Sequence, residues 1–142
     1  MSRKLIARRK RLVRVREAQH AMAVADTVRA EEQVNSLSNN VRRLERVRSE
    51  LFEDRSMQLG GSLAAARELA TRLEQAGRQL DGALYDARKI VVQKQHRQTE
   101  TNREKEIALR LEDRAQRANE QALEARLAAI PRYRSMQQRG TE

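Results

Sequence analysis

Two histidines, His20 and His96, are the side chains in this sequence best suited to metal binding or proton transfer. A chain folded back on itself between them would bring them within a couple of helical turns. There is no cysteine, so neither a disulfide framework nor a thiolate metal site is available. No carboxylate shell is organised around either histidine, and two solvated imidazoles are the plainer expectation. The Gly60-Gly61 pair is followed by no Lys-Ser/Thr and preceded by no apolar strand, so it is not a phosphate loop. A nucleophile, an oriented base and oxyanion donors need a concave pocket. Nothing in the pattern predicts one, and the expectation is a non-enzymatic protein without cofactor or metal.

The stronger chemical signal is charge. The net charge is +10, and it is unevenly placed. Residues 1–16 carry eight basic groups and no acid, and residues 126–142 carry four against Glu142. The excess belongs to the two ends. Arg8, Arg9, Arg11, Arg14 and Arg16 at one end, with Arg132 and Arg134 at the other, are the candidate partner-binding groups. Such clusters bind phosphate backbones, anionic lipid surfaces or acidic protein surfaces, and a solvated positive face is the structural alternative. Nucleic acid is disfavoured because no base-reading face accompanies the basic run and only Phe52, Tyr85 and Tyr133 could stack. Residues 1–16 form a basic amphipathic pattern compatible with peripheral membrane contact. No apolar run approaches the roughly 18 residues of a membrane span.

The elements that must position these groups read as helix and little else. Charged residues make up 35%, aromatics 2%, and the apolar fraction leans on alanine. Ala, Leu, Glu, Arg and Gln are good helix formers, and with a sustained apolar period they mark a long helix or coiled coil. Helix one is expected over about 2–58. Its later half carries a seam through Val34, Leu37, Val41, Leu44 and Leu51, spaced for one stripe of a coiled coil. Its earlier half shows a stripe in another phase through Leu5, Leu12, Val15, Met22, Ala25 and Val28. The polar run Asn35 to Asn40 lies near the change of phase. Residues 59–62 are expected to turn, with Gly60 and Gly61 ending one helix and Ser62 capping the next.

Helix two is expected over about 63–130, stopped by Pro131, with 131–142 as a tail. One of its rows is Leu69, Ala76, Ala83, Ile90, Leu111, Ala118 and Ala125. The other is Leu73, Leu80, Ala87, Ala108, Ala115, Ala122 and Ala129. Residues 93–106 contain no apolar side chain, and both rows break there. This stretch is either a solvated middle or a polar docking belt, with His96, Arg97, Arg103 and Lys105 as its candidate contacts. Gly77 and Gly82 inside the helix read as tolerated weak spots. The predicted fold is an all-α, antiparallel two-helix coiled-coil hairpin in one domain, monomeric or homodimeric. Residue i of helix one should then face roughly 121 − i.

Three features in sequence resemble one family. They are the start Lys10-Arg11-Leu12-Val13-Arg14-Val15-Arg16-Glu17 leading into alanine-rich heptads, the mid-chain break, and a long second helix with His96-Arg97-Gln98-Thr99-Glu100 and Asn102-Arg103-Glu104-Lys105-Glu106 in its middle. This plan resembles the FliJ family of flagellar export proteins and the related type III secretion stalk proteins. Helix two is short of aromatics, with Tyr85 alone over 63–130, where members of the family carry several Trp or Tyr. The resemblance implies a cytoplasmic coiled coil at the inner face of the bacterial cell membrane. Its implied partners are the export ATPase ring, the membrane export gate and substrate chaperones. A generic structural coiled-coil oligomer and a basic helical nucleic-acid-binding protein are the competing readings.

Overall fold

The structure, a computed structural model, describes the backbone of residues 2–54 and 61–140 and the side chains of residues 2–53 and 63–130. Two helices account for it: α1, Ser2–Asp54, and α2, Gly61–Arg139. They pack against each other as an all-α hairpin, with no strand among the described residues. The expected turn at Gly60 lies outside the described residues. Gly61 and Ser62 open α2 from inside it rather than preceding it, a shift within the usual uncertainty of helix ends.

The expected stop at Pro131 is corrected: α2 runs through it to Arg139. Proline removes one backbone hydrogen bond and crowds the preceding turn, but it does not forbid helix on its far side. The residues that follow include Arg, Met and Gln, which favour the helical state.

Burial along α1 is a single unbroken heptad stripe, not two phases. Ile6, Arg9, Val13, Arg16, His20 and Ala23 are followed by Thr27, Ala30, Val34, Leu37, Val41 and Leu44, all at least half-buried at spacings of three and four. Leu51 continues it past an exposed Arg48, whose guanidinium lies 5.8 Å from the Phe52 ring centre. The early apolar stripe therefore lies off the seam, with Leu5, Val15, Met22 and Val28 exposed. The physical reason is continuity. A change of phase would need a local unwinding of the supercoil, whereas polar residues at seam positions cost only their own desolvation.

The same correction applies to α2. Leu73, Leu80, Ala87 and Ala108 lie on the seam as expected. The companion row is displaced by one residue, to Ala70, Gly77, Leu84 and Val91, and Leu69 and Ile90 are exposed at 46% and 47%. The α2 stripe also continues without a break from Ala66 to Asn119. Lys94, Gln98, Thr101 and Lys105 hold its seam positions across residues 93–106, so the polar stretch is a polar layer within the seam rather than a gap in it.

Two compact units divide the chain: Ala23–Gln98, and Met1–Met22 with Thr99–Glu142. In the first, Leu44 approaches Gly77; in the second, His20 meets Thr101 and Arg16 meets Glu104. These pairs obey the expected antiparallel register to within one residue. Buried apolar side chains are small: Ala23, Ala66 and Ala87 in one unit, Val13 and Ala108 in the other. Exposed pairs such as Arg72–Glu68 at 2.9 Å and Arg117–Asp113 at 3.1 Å, four residues apart, add a few tenths of a kcal/mol each to the helix.

The two helical glycines differ. A Cβ at Gly77 would stand 3.3 Å from Leu44 Cδ2, whereas at Gly82 it would meet nothing within 4 Å. Close approach of a seam side chain, not a tolerated weak spot, explains the first. Gly82→Ala should stabilise the protein by about 1 kcal/mol through helix propensity alone. Gly77→Ala should gain clearly less, because Leu44 must move. Urea unfolding of both variants checks this, and equal gains would show that Leu44 yields freely.

Candidate functional site: the polar layer and the basic face

The groups that sequence reading gathers at the ends and in the belt fall into two environments. Arg8, Arg11 and Arg14 are exposed on α1, with the Arg11 Nε–H donating to the Ala7 carbonyl at 3.4 Å. Arg9 and Arg16 are half-buried because they occupy seam positions. On α2, His96, Arg97 and Arg103 are exposed, while Lys105 is half-buried in the seam. The side chains of Arg132 and Arg134 lie outside those described. Leu37, Val41, Leu44, Leu51, Leu73 and Leu80 are half-buried along the seam, and Leu111 is half-buried on its border.

Arg16 anchors the polar layer. Its guanidinium donates to Glu104 Oε2 at 2.8 Å and to Gln19 Oε1 at 3.0 Å. The ion pair is about one-third exposed on both sides, at 34% and 37%, so it contributes at most about 1 kcal/mol. Its importance is positional, because Lys105 sits level with Arg16 across the seam. Glu104, one residue away, supplies the compensating charge that lets two cations share one level. Arg16 is accordingly not part of a free cationic surface.

Next along the seam, His20 Nδ1 and Thr101 Oγ1 are 3.2 Å apart. Thr101 is 1% exposed, and it is the largest fully buried side chain among those described. In the other unit, buried Thr27 turns its hydroxyl back to the Ala23 carbonyl at 3.0 Å, satisfying itself locally. No buried side-chain polar atom among the described residues lacks a partner. His20 is thus committed to a helix–helix contact rather than to His96. Among the described residues no three His, Asp or Glu side chains converge on a metal position. Among the described residues no helix is long and apolar enough to cross a membrane.

Charge is distributed asymmetrically in the unit that holds both ends. Residues 1–22 set eight basic groups against Glu17, whereas residues 99–142 balance nine basic groups with eight acids. The excess therefore lies on α1. Moreover, α2 carries its C-terminal arginines onward along a helix whose residues 121–130 are all exposed. Arg132 lies thirteen residues past Asn119, the last half-buried position of the stripe among the described side chains, which is about 20 Å of helix. Both basic ends belong to this one unit; of their described side chains, Lys4, Lys10, Arg11 and Arg14 form an exposed basic face on α1.

Sequence reading missed Glu104 and Thr101 as functional members of the layer. The signal that could have found them is the strict three-four spacing itself, which continues through polar positions and reaches Thr101. Comparison with protein-family models, curated proteins and solved structures finds no match.

The polar layer makes a stability prediction. Thr101→Val, which leaves His20 without this partner, should cost about 1 kcal/mol in urea unfolding. Replacing both partners with leucine should be neutral or stabilising, because an apolar layer needs no compensation.

Proposed function

We propose that this chain is a non-enzymatic coiled-coil stalk or adaptor of the flagellar type III export apparatus. In this reading the exposed basic face of α1 docks on an acidic surface of the export ATPase ring. The export gate and substrate chaperones are further partners, and the protein works in the cytoplasm at the inner face of the cell membrane. The observation that supports it best is the charge asymmetry within a paired hairpin. Lys4, Lys10, Arg11 and Arg14 are exposed on α1, while α2 in the same unit is almost neutral and cannot balance them. An unbalanced cationic face of this kind steers encounter with an acidic partner and fixes orientation more than it adds affinity. The polar layer suits the same role, since its bonds hold the α1 face at one height along α2.

The reading is tested on Arg11→Glu/Arg14→Glu, two exposed positions off the seam. Helicity and unfolding midpoint should be unchanged. Binding to the purified export ATPase of the same organism should fall at least about tenfold, with loss of motility and of flagellar secretion. Undiminished secretion and ATPase binding in that variant would rule the proposal out.

A further inference from the structure

Seam continuity leaves the early apolar stripe of α1 facing outward. Leu5, Arg8, Leu12, Val15, Gln19 and Met22 form one row at spacings of three and four, bordering the seam. Leu5, Val15 and Met22 are 45%, 52% and 68% exposed. On α2, Glu104, Ile107, Leu111, Arg114 and Ala118 form the matching row, with Ile107 57% exposed. The bond from Arg16 to Glu104 places both rows on the same flank of the hairpin. The opposite flank, through Lys10, Arg14, Glu17, Glu106 and Asp113, is charged.

We infer that this flank is a self-association surface, which pairs with the same flank of a second copy about a two-fold axis perpendicular to the helices. Three observations identify the occupant. The flank is continuous with the seam, since Leu12 and Leu111 are already half-buried at its border. Its pattern also reads the same in both directions. On α1, Leu5 and Met22, like Leu12 and Val15, are equidistant from the midpoint between Val13 and Arg14. On α2, Ile107 and Leu111, like Glu104 and Arg114, are equidistant from Leu109. The antiparallel register sets these two centres within about 2 Å of the same height.

Finally, reversal about those centres brings Glu104 of one copy level with Arg114 of the other, so charge complements charge while apolar groups meet apolar groups. An isologous interface requires such self-complementarity, and an acidic helix or a flat lipid surface has no use for it. α1 then packs on the partner's α1 and α2 on its α2, both antiparallel, giving a four-helix arrangement. The flank spans about 26 Å. A patch of that length on two helices is smaller than the ~800 Å² per partner of a standard stable interface, so the dimer is a weak one.

The inference is independent of the export reading and is tested on the purified full chain alone. Light scattering from about 1 to 200 µM should show a concentration-dependent dimer. Val15→Glu/Met22→Glu should be monomeric throughout with unchanged helicity and unfolding midpoint; Val15→Ser/Met22→Ser serves if the glutamates lower helicity. Because the chain has no cysteine, a mixture of Leu5→Cys and Met22→Cys proteins should give mainly the mixed disulfide dimer. A wild-type monomer at every concentration overturns the inference, as does a double variant that still dimerises. Preferential Leu5→Cys self-cross-linking excludes the antiparallel pairing and overturns it too. So does a monomer that binds phosphatidylglycerol vesicles through Val15 and Met22, because the flank would then be a lipid surface.

Discussion

Everything in this hairpin depends on keeping two heptad seams in phase. An α-helix has about 3.6 residues per turn and a heptad seam needs 3.5, so two long helices stay in contact only by supercoiling at constant phase. Once Val34 to Leu51 have committed α1 to one phase, the rest of the helix must follow or unwind locally. It follows, and Arg9, Arg16 and His20 are drawn into the seam although their side chains are poor material for it. α2 shows the same obedience across Lys94, Gln98, Thr101 and Lys105. Phase outranks hydrophobicity here, because misphasing costs every contact beyond the slip, while a polar seam residue costs only its own dehydration.

That trade explains a seam made of small and polar parts. Alanine at Ala23, Ala66, Ala87 and Ala108 buries little area but permits close approach without adding side-chain entropy cost. Gly77 carries this to its limit against Leu44. The polar members are tolerated because each is matched: Arg16 by Glu104 and Gln19, His20 by Thr101, Thr27 by its own helix. Matched polar groups at one seam level also discriminate against slipped pairings, in which Arg16 would lose Glu104 and His20 would lose Thr101. Polar seam groups that set register at some expense of stability are a known use of such residues.

Helical class, chain reversal and the pairing of residue i with 121 − i were legible in the sequence because they follow from composition and from the length of chain on either side of one glycine pair. The seam of α1 beyond Val34 was legible for the same reason: large apolar residues sat on it. The remainder was hidden by counting hydrophobic residues instead of tracking phase. Leu69 and Ile90 attract attention as large apolar groups, yet Gly77, Leu84 and Val91 one position along hold the seam. Leu5 to Met22 form a real stripe, but on a flank rather than on the seam. Pro131 carried an intrinsic helix-breaking preference, which good helix formers after it were enough to overcome.

The unbroken seam also restricts how this chain can change in length over evolutionary time. Because both helices contribute heptads in antiparallel order, adding or removing one residue within either helix would rotate every later side chain by about 100° off the contact. Length changes that respect the packing come in whole heptads, taken from both helices at the same distance from the turn. Related chains should therefore differ in length by paired sevens within the helices and freely only outside the seam. The helices behave in this respect less like a string of residues than like two matched toothed racks, cut to a common pitch.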